Sequence, residues 1–131
     1  MVPALSFQKR FVAGVENGVA QAAGKPLPHP GVLPKRGTIR AKRKRPFKVD
    51  DDLMLYYGMR TKQCRKLGDA VCECARRIWI DKDFVEVEGI ELDVAQVRAL
   101  ALQDGFKSER DMMQWFEETH GFSFFGQLIE W

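Results

Sequence analysis

The stretch Leu33–Asp51, LPKRGTIRAKRKRPFKVDD, decides how the rest of the chain is read. Eight of the fourteen residues from Lys35 to Lys48 are Lys or Arg, and no acid follows until Asp50. Gly37–Arg40 has the β-forming pair Thr38 and Ile39 at its centre and reads as a short strand. That strand runs into a loop, Lys42, Arg43, Lys44 and Arg45, whose charged heads reach water, and Phe47 beyond it reads as an inward anchor. A basic run of this kind is either a solvated loop or a phosphate-facing surface, which would bind nucleic acid without sequence preference.

Upstream, Phe7, Phe11, Val12, Val15 and Val19 recur at helical spacing, with Ser6 placed to cap and Gly24 to end the segment. This predicts an N-terminal helix over 6–23. The prolines of KPLPHPGVLP exclude helix and central strand, so 24–37 reads as an irregular loop. Downstream, Leu53–Tyr57, Ala70–Ile80 and Phe84–Val87 read as strands, and Asp93 opens a second helix that ends near Gly105. Ser108, with Asp111 three residues on, resembles a capping box before a third helix that Gly121 closes. Phe124–Trp131 reads as a closing strand that can return beside the early ones. The order helix, strands, two helices, strand predicts an α+β fold, a small mixed β-barrel with flanking α-helices. The two late helices are inserted within 38–131.

With 131 residues, 45% of them hydrophobic, the chain fits one domain over 1–131 with one core. The net charge of +3 hides an asymmetry between a basic 35–66 and an acidic last third, which suits a nucleic-acid or nucleotide partner on one face. Cys64, Cys72 and Cys74 have no framework spacing, so a reducing compartment, here the cytoplasm, is expected. Cys72 and Cys74 read as two small apolar residues on one strand face. No metal and no cofactor are expected, and no window has signal-peptide or membrane-span character. A monomer is expected.

Neither histidine has a nucleophile beside it in the sequence; His29 lies in the Pro-rich loop, and His120 reads as a dipole partner at a helix end. Phosphate-binding glycine fingerprints are absent from the sequence. What remains is Lys35, Thr38 and Arg40 in K-R-G-T-I-R. A lysine partly buried among cations has its pKa lowered, and its neutral amine can then deprotonate a neighbouring hydroxyl. An acid is still needed to orient that lysine. A second basic cluster, Arg60, Lys62, Arg65 and Lys66, falls in a hairpin-like connection. Tyr56, Tyr57 and Trp79 have the chemistry to stack on bases, with the core as the competing destination for Trp79 and one tyrosine.

These features together resemble the ASCH family of PUA-like barrels. The likeness is carried by SFQKRFVAGVENG, by the K-x-x-T-I-R strand with its basic loop and F-K-V-D-D, by LALQDGFKSERDMMQWF, and by GQLIEW. The resemblance implies a PUA-like barrel and a role on RNA or modified nucleosides. One bacterial branch of small ASCH proteins hydrolyses the amide of N4-acetylcytidine with a threonine nucleophile, an activating lysine and a glutamate. Carried over by motif, these roles fall on Thr38, Lys35 and Asp104, with Arg40 holding the polar edge of the substrate; Arg60 and Lys62 of the second basic cluster are further substrate-binding candidates. Lys42, Arg43, Lys44, Arg45, Arg65 and Lys66 would grip phosphates. The chain departs from the family pattern in three places. Asp104 is shorter than glutamate by roughly 1.5 Å. Asp50 stands at a turn position that is usually glycine, and the Pro-rich insertion makes Gly24–Lys25 a rival for the Gly/Lys pair. A non-catalytic RNA-binding module, or a ribonuclease, is the alternative.

Overall fold

The structure is a computed structural model and describes residues 4–131. Its first element corrects the N-terminal expectation. Ala4–Phe7 is a strand, β1, because Leu5 and Phe7 alternate inward at period two, a pattern that the longer helical spacing obscures. A 3-10 turn, Lys9–Phe11, leads into helix α1, Val12–Ala22, so Ser6 caps nothing. Instead the Ser6 hydroxyl accepts from the Met59 amide at 3.3 Å.

The expected loop follows α1. It is held by Asn17, a fully buried side chain that donates to the His29 and Val32 carbonyls and accepts from the His29 amide. One amide group thus satisfies three backbone groups of a segment with no ladder of its own. Strand β2, Gly37–Ala41, comes next, then β3, Asp52–Tyr57. Asp50 adopts φ 74°, so the turn before β3 is made in the left-handed region without glycine, which Asp tolerates better than most residues.

The expected single strand Ala70–Ile80 is two strands. β4, Arg65–Val71, pairs with β3, whereas β5, Cys74–Ile80, belongs to the other sheet. The chain changes partners at Cys72–Glu73: Cys72 stays bonded to the turn before β3, while the Glu73 amide donates to the Glu130 carbonyl. Cys72 and Cys74 therefore flank a crossover and do not share a strand. Cys72 is buried, with its thiol donating to the Cys74 carbonyl. Alternation alone does not reveal this break, because both halves are rich in apolar residues.

β6, Val85–Val87, and a short β7, Ile90–Glu91, extend the second sheet. Helix α2, Val94–Gln103, starts on a reciprocal Asp93–Gln96 capping box, and α3, Glu109–Thr119, on the Ser108 hydroxyl. Asp111 does not complete a box there. Its carboxylate accepts instead from the Lys107 amide and from Arg10. The closing strand is β8, Phe124–Glu130, and it returns as expected, antiparallel to β2 on one side and to β5 on the other.

Among the described residues the fold is mixed α+β, with strands in the orders β1-β3-β4 and β2-β8-β5-β6-β7. β1 runs parallel to β3. The ladders do not close into a barrel. The core between sheets and helices is built on Leu53, Leu55, Ile78, Ile80, Met112, Phe116, Ile129 and Trp131. No helix of the described residues is long and apolar enough to cross a membrane.

Candidate functional site

Among the described residues four polar or charged ones are buried, and three of them, Lys35, Thr38 and Asp104, line one pocket; the fourth is Asn17. Burial of a charge is costly unless it is paired, so each of these positions must be explained by its partners.

Lys35 is brought in by close packing on α1. Its amide donates to the Gly14 carbonyl at 2.8 Å, and a Cβ on Gly18 would stand 1.9 Å from the Lys35 carbonyl oxygen. Only glycine permits the chain entering β2 to lie this close to the helix. The Lys35 side chain then reaches the end of α2, where Nζ donates to Asp104 Oδ1 at 2.9 Å and also to the Asp104 backbone carbonyl. A cation at a helix C-terminus, on an otherwise unused carbonyl, is electrostatically favoured. Gly105, at φ 91°, turns the chain away; a Cβ there would meet the Phe11 ring at 3.0 Å and Lys35 Cδ at 3.2 Å. Phe11 and Phe7 lie 4.9 and 5.7 Å from Nζ, ring centroid to nitrogen.

Burial pushes the Lys35 pKa down, and Arg40 and Arg10 push the same way, while the Asp104 carboxylate opposes them. Burial raises the Asp104 pKa, opposed by Lys35 and Arg40. Both groups are thus drawn toward their neutral forms, with the pair's mutual attraction as the counterweight.

Thr38 sits on β2 with Arg40 two positions along. The Arg40 Nε donates to Thr38 Oγ1 at 3.1 Å, and a terminal nitrogen donates to the Ser6 carbonyl at 2.8 Å. The guanidinium lies 4.7 Å from the Phe7 ring. Burial lowers the Arg40 pKa to about 10, with Asp104 partly compensating. It stays cationic at neutral pH, with three of its five N–H donors unengaged by these two contacts. Thr38 Oγ1 therefore has a charged donor on its lone pair and its own hydrogen free to give.

The pocket has a volume of about 260 Å³, with this polar floor and a largely aromatic wall. Phe11, Phe106, Trp115 and Phe116 pack edge-on or tilted on one another in that wall. His120, which caps the C-terminus of α3, stands in it too. His120 stands at the C-terminus of α3 as expected, and burial, together with the charge of Arg40, lowers its pKa. The sequence signal for its place was Phe116 four residues before it, on the same helical face.

The other sequence candidates lie elsewhere. Lys25 is exposed, so between the two lysines it is Lys35 that occupies the pocket. Arg60 and Lys62 are exposed in the turn after β3 and do not line the pocket. Arg65 and Lys66 belong to β4, where their heads pair with Glu16 at 3.1 Å and Asp69 at 2.8 Å. The second basic cluster is therefore split between a turn and a strand and partly neutralised. Lys42, Arg43, Lys44 and Arg45 are exposed after β2, with the Arg43 guanidinium 4.4 Å over the Phe47 ring. Phe47 is buried as expected, and the Gln127 amide clamps it by two hydrogen bonds to its backbone. Trp79 is half-buried and stacks on the exposed Phe125, so it serves the outer side of the second sheet more than the core. Among the described residues no group of acids, histidines and cysteines is arranged to hold a metal. Comparison with protein-family models, with curated proteins and with solved structures returns no match for this chain.

Proposed function

We propose that the pocket is the active site of an amide hydrolase of the ASCH type, acting on N4-acylated cytidine or a similar acylated base. In this reading the two sheets are an opened form of the PUA-like barrel. The observation that carries it is that Asp104, 69 residues beyond Lys35, lines one buried floor with the sequence neighbours Lys35 and Thr38.

The proposed chemistry runs among groups that line one pocket. The Lys35 amine takes the Thr38 hydroxyl proton as Oγ1 bonds to the acyl carbon, and the carbonyl electrons move to oxygen. Arg40, already donating to Oγ1, offers its free N–H groups to the developing oxyanion. The C–N bond then breaks and the Lys35 ammonium returns its proton to the leaving amine; water, deprotonated by Lys35, attacks the acyl-threonine, the C–Oγ1 bond breaks, and Oγ1 takes the proton back from Lys35 as the acid leaves. Asp104 orients Lys35 throughout. Its shorter side chain suffices for that, since it reaches Nζ at 2.9 Å.

The test is turnover of N4-acetylcytidine by the wild-type chain and by Thr38→Ala and Lys35→Ala, with circular dichroism to verify the fold. Loss of turnover in both folded variants supports the reading; unchanged activity sinks it. A second reading is favoured by the exposed Lys42–Arg45 loop: a binding module for RNA phosphates. Salt-sensitive RNA binding that survives Thr38→Ala, without turnover of the nucleoside, would select it.

A further inference from the structure

The floor of the pocket accounts for the acyl end of a substrate and leaves its ring unexplained. His120 is a polar residue packed among the aromatic rings of the wall, where Gln8 and Thr119 also line the pocket. Its ring is stacked on buried Phe116, at 5.7 Å between centroids and 29° between planes, and tilted on buried Phe124 at 4.7 Å and 47°. Trp115 meets it edge-on at 5.6 Å. Three rings from two elements, α3 and β8, thus fix the imidazole plane, although the residue as a whole is exposed. Neither ring nitrogen takes part in a hydrogen bond with the described residues; the influences on its protonation are burial and the charge of Arg40. A ring that is oriented by packing, open to the pocket and unspent in hydrogen bonding is set to meet a ligand.

Resting on the amide-hydrolase reading, we propose that His120 is the ring-recognition residue of the pocket. Its imidazole lies against the planar heteroaromatic part of the substrate and exchanges a hydrogen bond with that ring's polar edge, while Lys35, Thr38 and Arg40 hold the acyl group. The groups that face His120 are the rings of Trp115, Phe116 and Phe124 and, as the nearby charge, Arg40. A neutral imidazole offers both a donor and an acceptor, which suits the mixed donor and acceptor edge of a pyrimidine. It also avoids placing another cation beside Arg40.

The test separates binding from turnover. Binding of intact N4-acetylcytidine is measured by tryptophan fluorescence and calorimetry in a Thr38→Ala background. His120→Ala, His120→Gln and His120→Phe are added to that background, each verified by circular dichroism and melting temperature. The expected result is a dissociation constant raised at least tenfold by His120→Ala, in line with losing a base-stacking contact. Phe, which keeps the ring, and Gln, which keeps a hydrogen-bonding end, should each restore part of the loss. In the Thr38 background-free chain, the same His120 substitutions should raise KM and leave kcat within about threefold. Binding within twofold of the parent in His120→Ala, or a fall in kcat with KM unchanged, overturns the inference while the wild-type activity keeps the hydrolase reading. A wild-type chain that neither binds nor hydrolyses N4-acetylcytidine overturns both.

Discussion

Arg40 and Thr38 face each other along one strand, with the guanidinium Nε donating to the threonine hydroxyl oxygen at 3.1 Å. By motif Arg40 is expected to hold the polar edge of the substrate; in the structure its guanidinium donates to Thr38 Oγ1 and to the Ser6 carbonyl. A charged donor on Oγ1 lowers the cost of forming an alkoxide there. Arg40→Lys keeps the charge but loses the forked geometry that spans Thr38 and Ser6. Both Arg40→Lys and Arg40→Ala are therefore expected to reduce kcat on N4-acetylcytidine, by about 10²–10³-fold for the alanine variant. Steady-state kinetics beside a melting curve checks this, and a lysine variant at full activity would refute it.

The Lys35–Asp104 pair is buried on both sides, at 3% and 5% side-chain exposure. Removing one partner leaves the other as an isolated buried charge, so Asp104→Asn should cost about 3–5 kcal/mol in urea unfolding. The double variant Lys35→Met, Asp104→Leu should recover much of that stability while remaining inactive, since the charges go together. A double-mutant cycle measures the coupling.

In the proposed mechanism the neutral Lys35 amine is the base, so kcat/KM should rise with pH along a limb that titrates below the ordinary lysine value. Arg10 contributes to that depression through its positive charge. Removing it favours the ammonium form, so Arg10→Gln should displace the limb toward higher pH. A pH–rate profile with the limb unmoved, or moved toward lower pH, would contradict the assignment of Lys35.

Gly18 tests the scaffold. An added methyl group would stand 1.9 Å from the Lys35 carbonyl oxygen, too close for any rotamer to relieve. Gly18→Ala should destabilise by at least about 1–3 kcal/mol, the usual range for overpacking. Gly14→Ala, whose Cβ would meet Lys35 Cβ at 3.3 Å, should cost less. Thermal melts of the two variants rank them directly.

The basic loop and the pocket should separate in experiment. Lys42, Arg43, Lys44 and Arg45 are exposed and do not line the pocket, so changing all four to Gln should leave turnover of the free nucleoside within twofold. Any affinity for RNA in the same variant should fall, and its salt dependence should flatten.

Much of the architecture could be read locally, because local physics encodes it. Asp93 and Ser108 start their helices through their own side chains, and the prolines of the 24–37 loop rule out regular structure. Two features stayed hidden for a shared reason: they depend on partners distant in the chain. β1 is a strand because β3 lies beside it, and its alternation over four residues is too short to compete with the helical spacing that continues past it. The crossover at Cys72 follows from Glu73 finding Glu130. His120 is different: its ring packs on Phe116 and Phe124, each four residues away, and the pocket that it lines is assembled by the tertiary fold. Lys35, Thr38 and Asp104 could be singled out by residue type and motif, whereas Arg60 and Lys62 could not be excluded, since a charge run does not say which way its heads turn.

The contact between Lys35 and Asp104 spans 69 residues of sequence. While the chain is being made, the lysine has no carboxylate to meet until α2 has been completed, and β8 must still return beside β2 to fix the strand that holds Thr38. Such distant pairings form late and all together. In the proposed mechanism, Thr38 gains the Lys35–Asp104 pair that would act on it only once α2 and the last strand are in place.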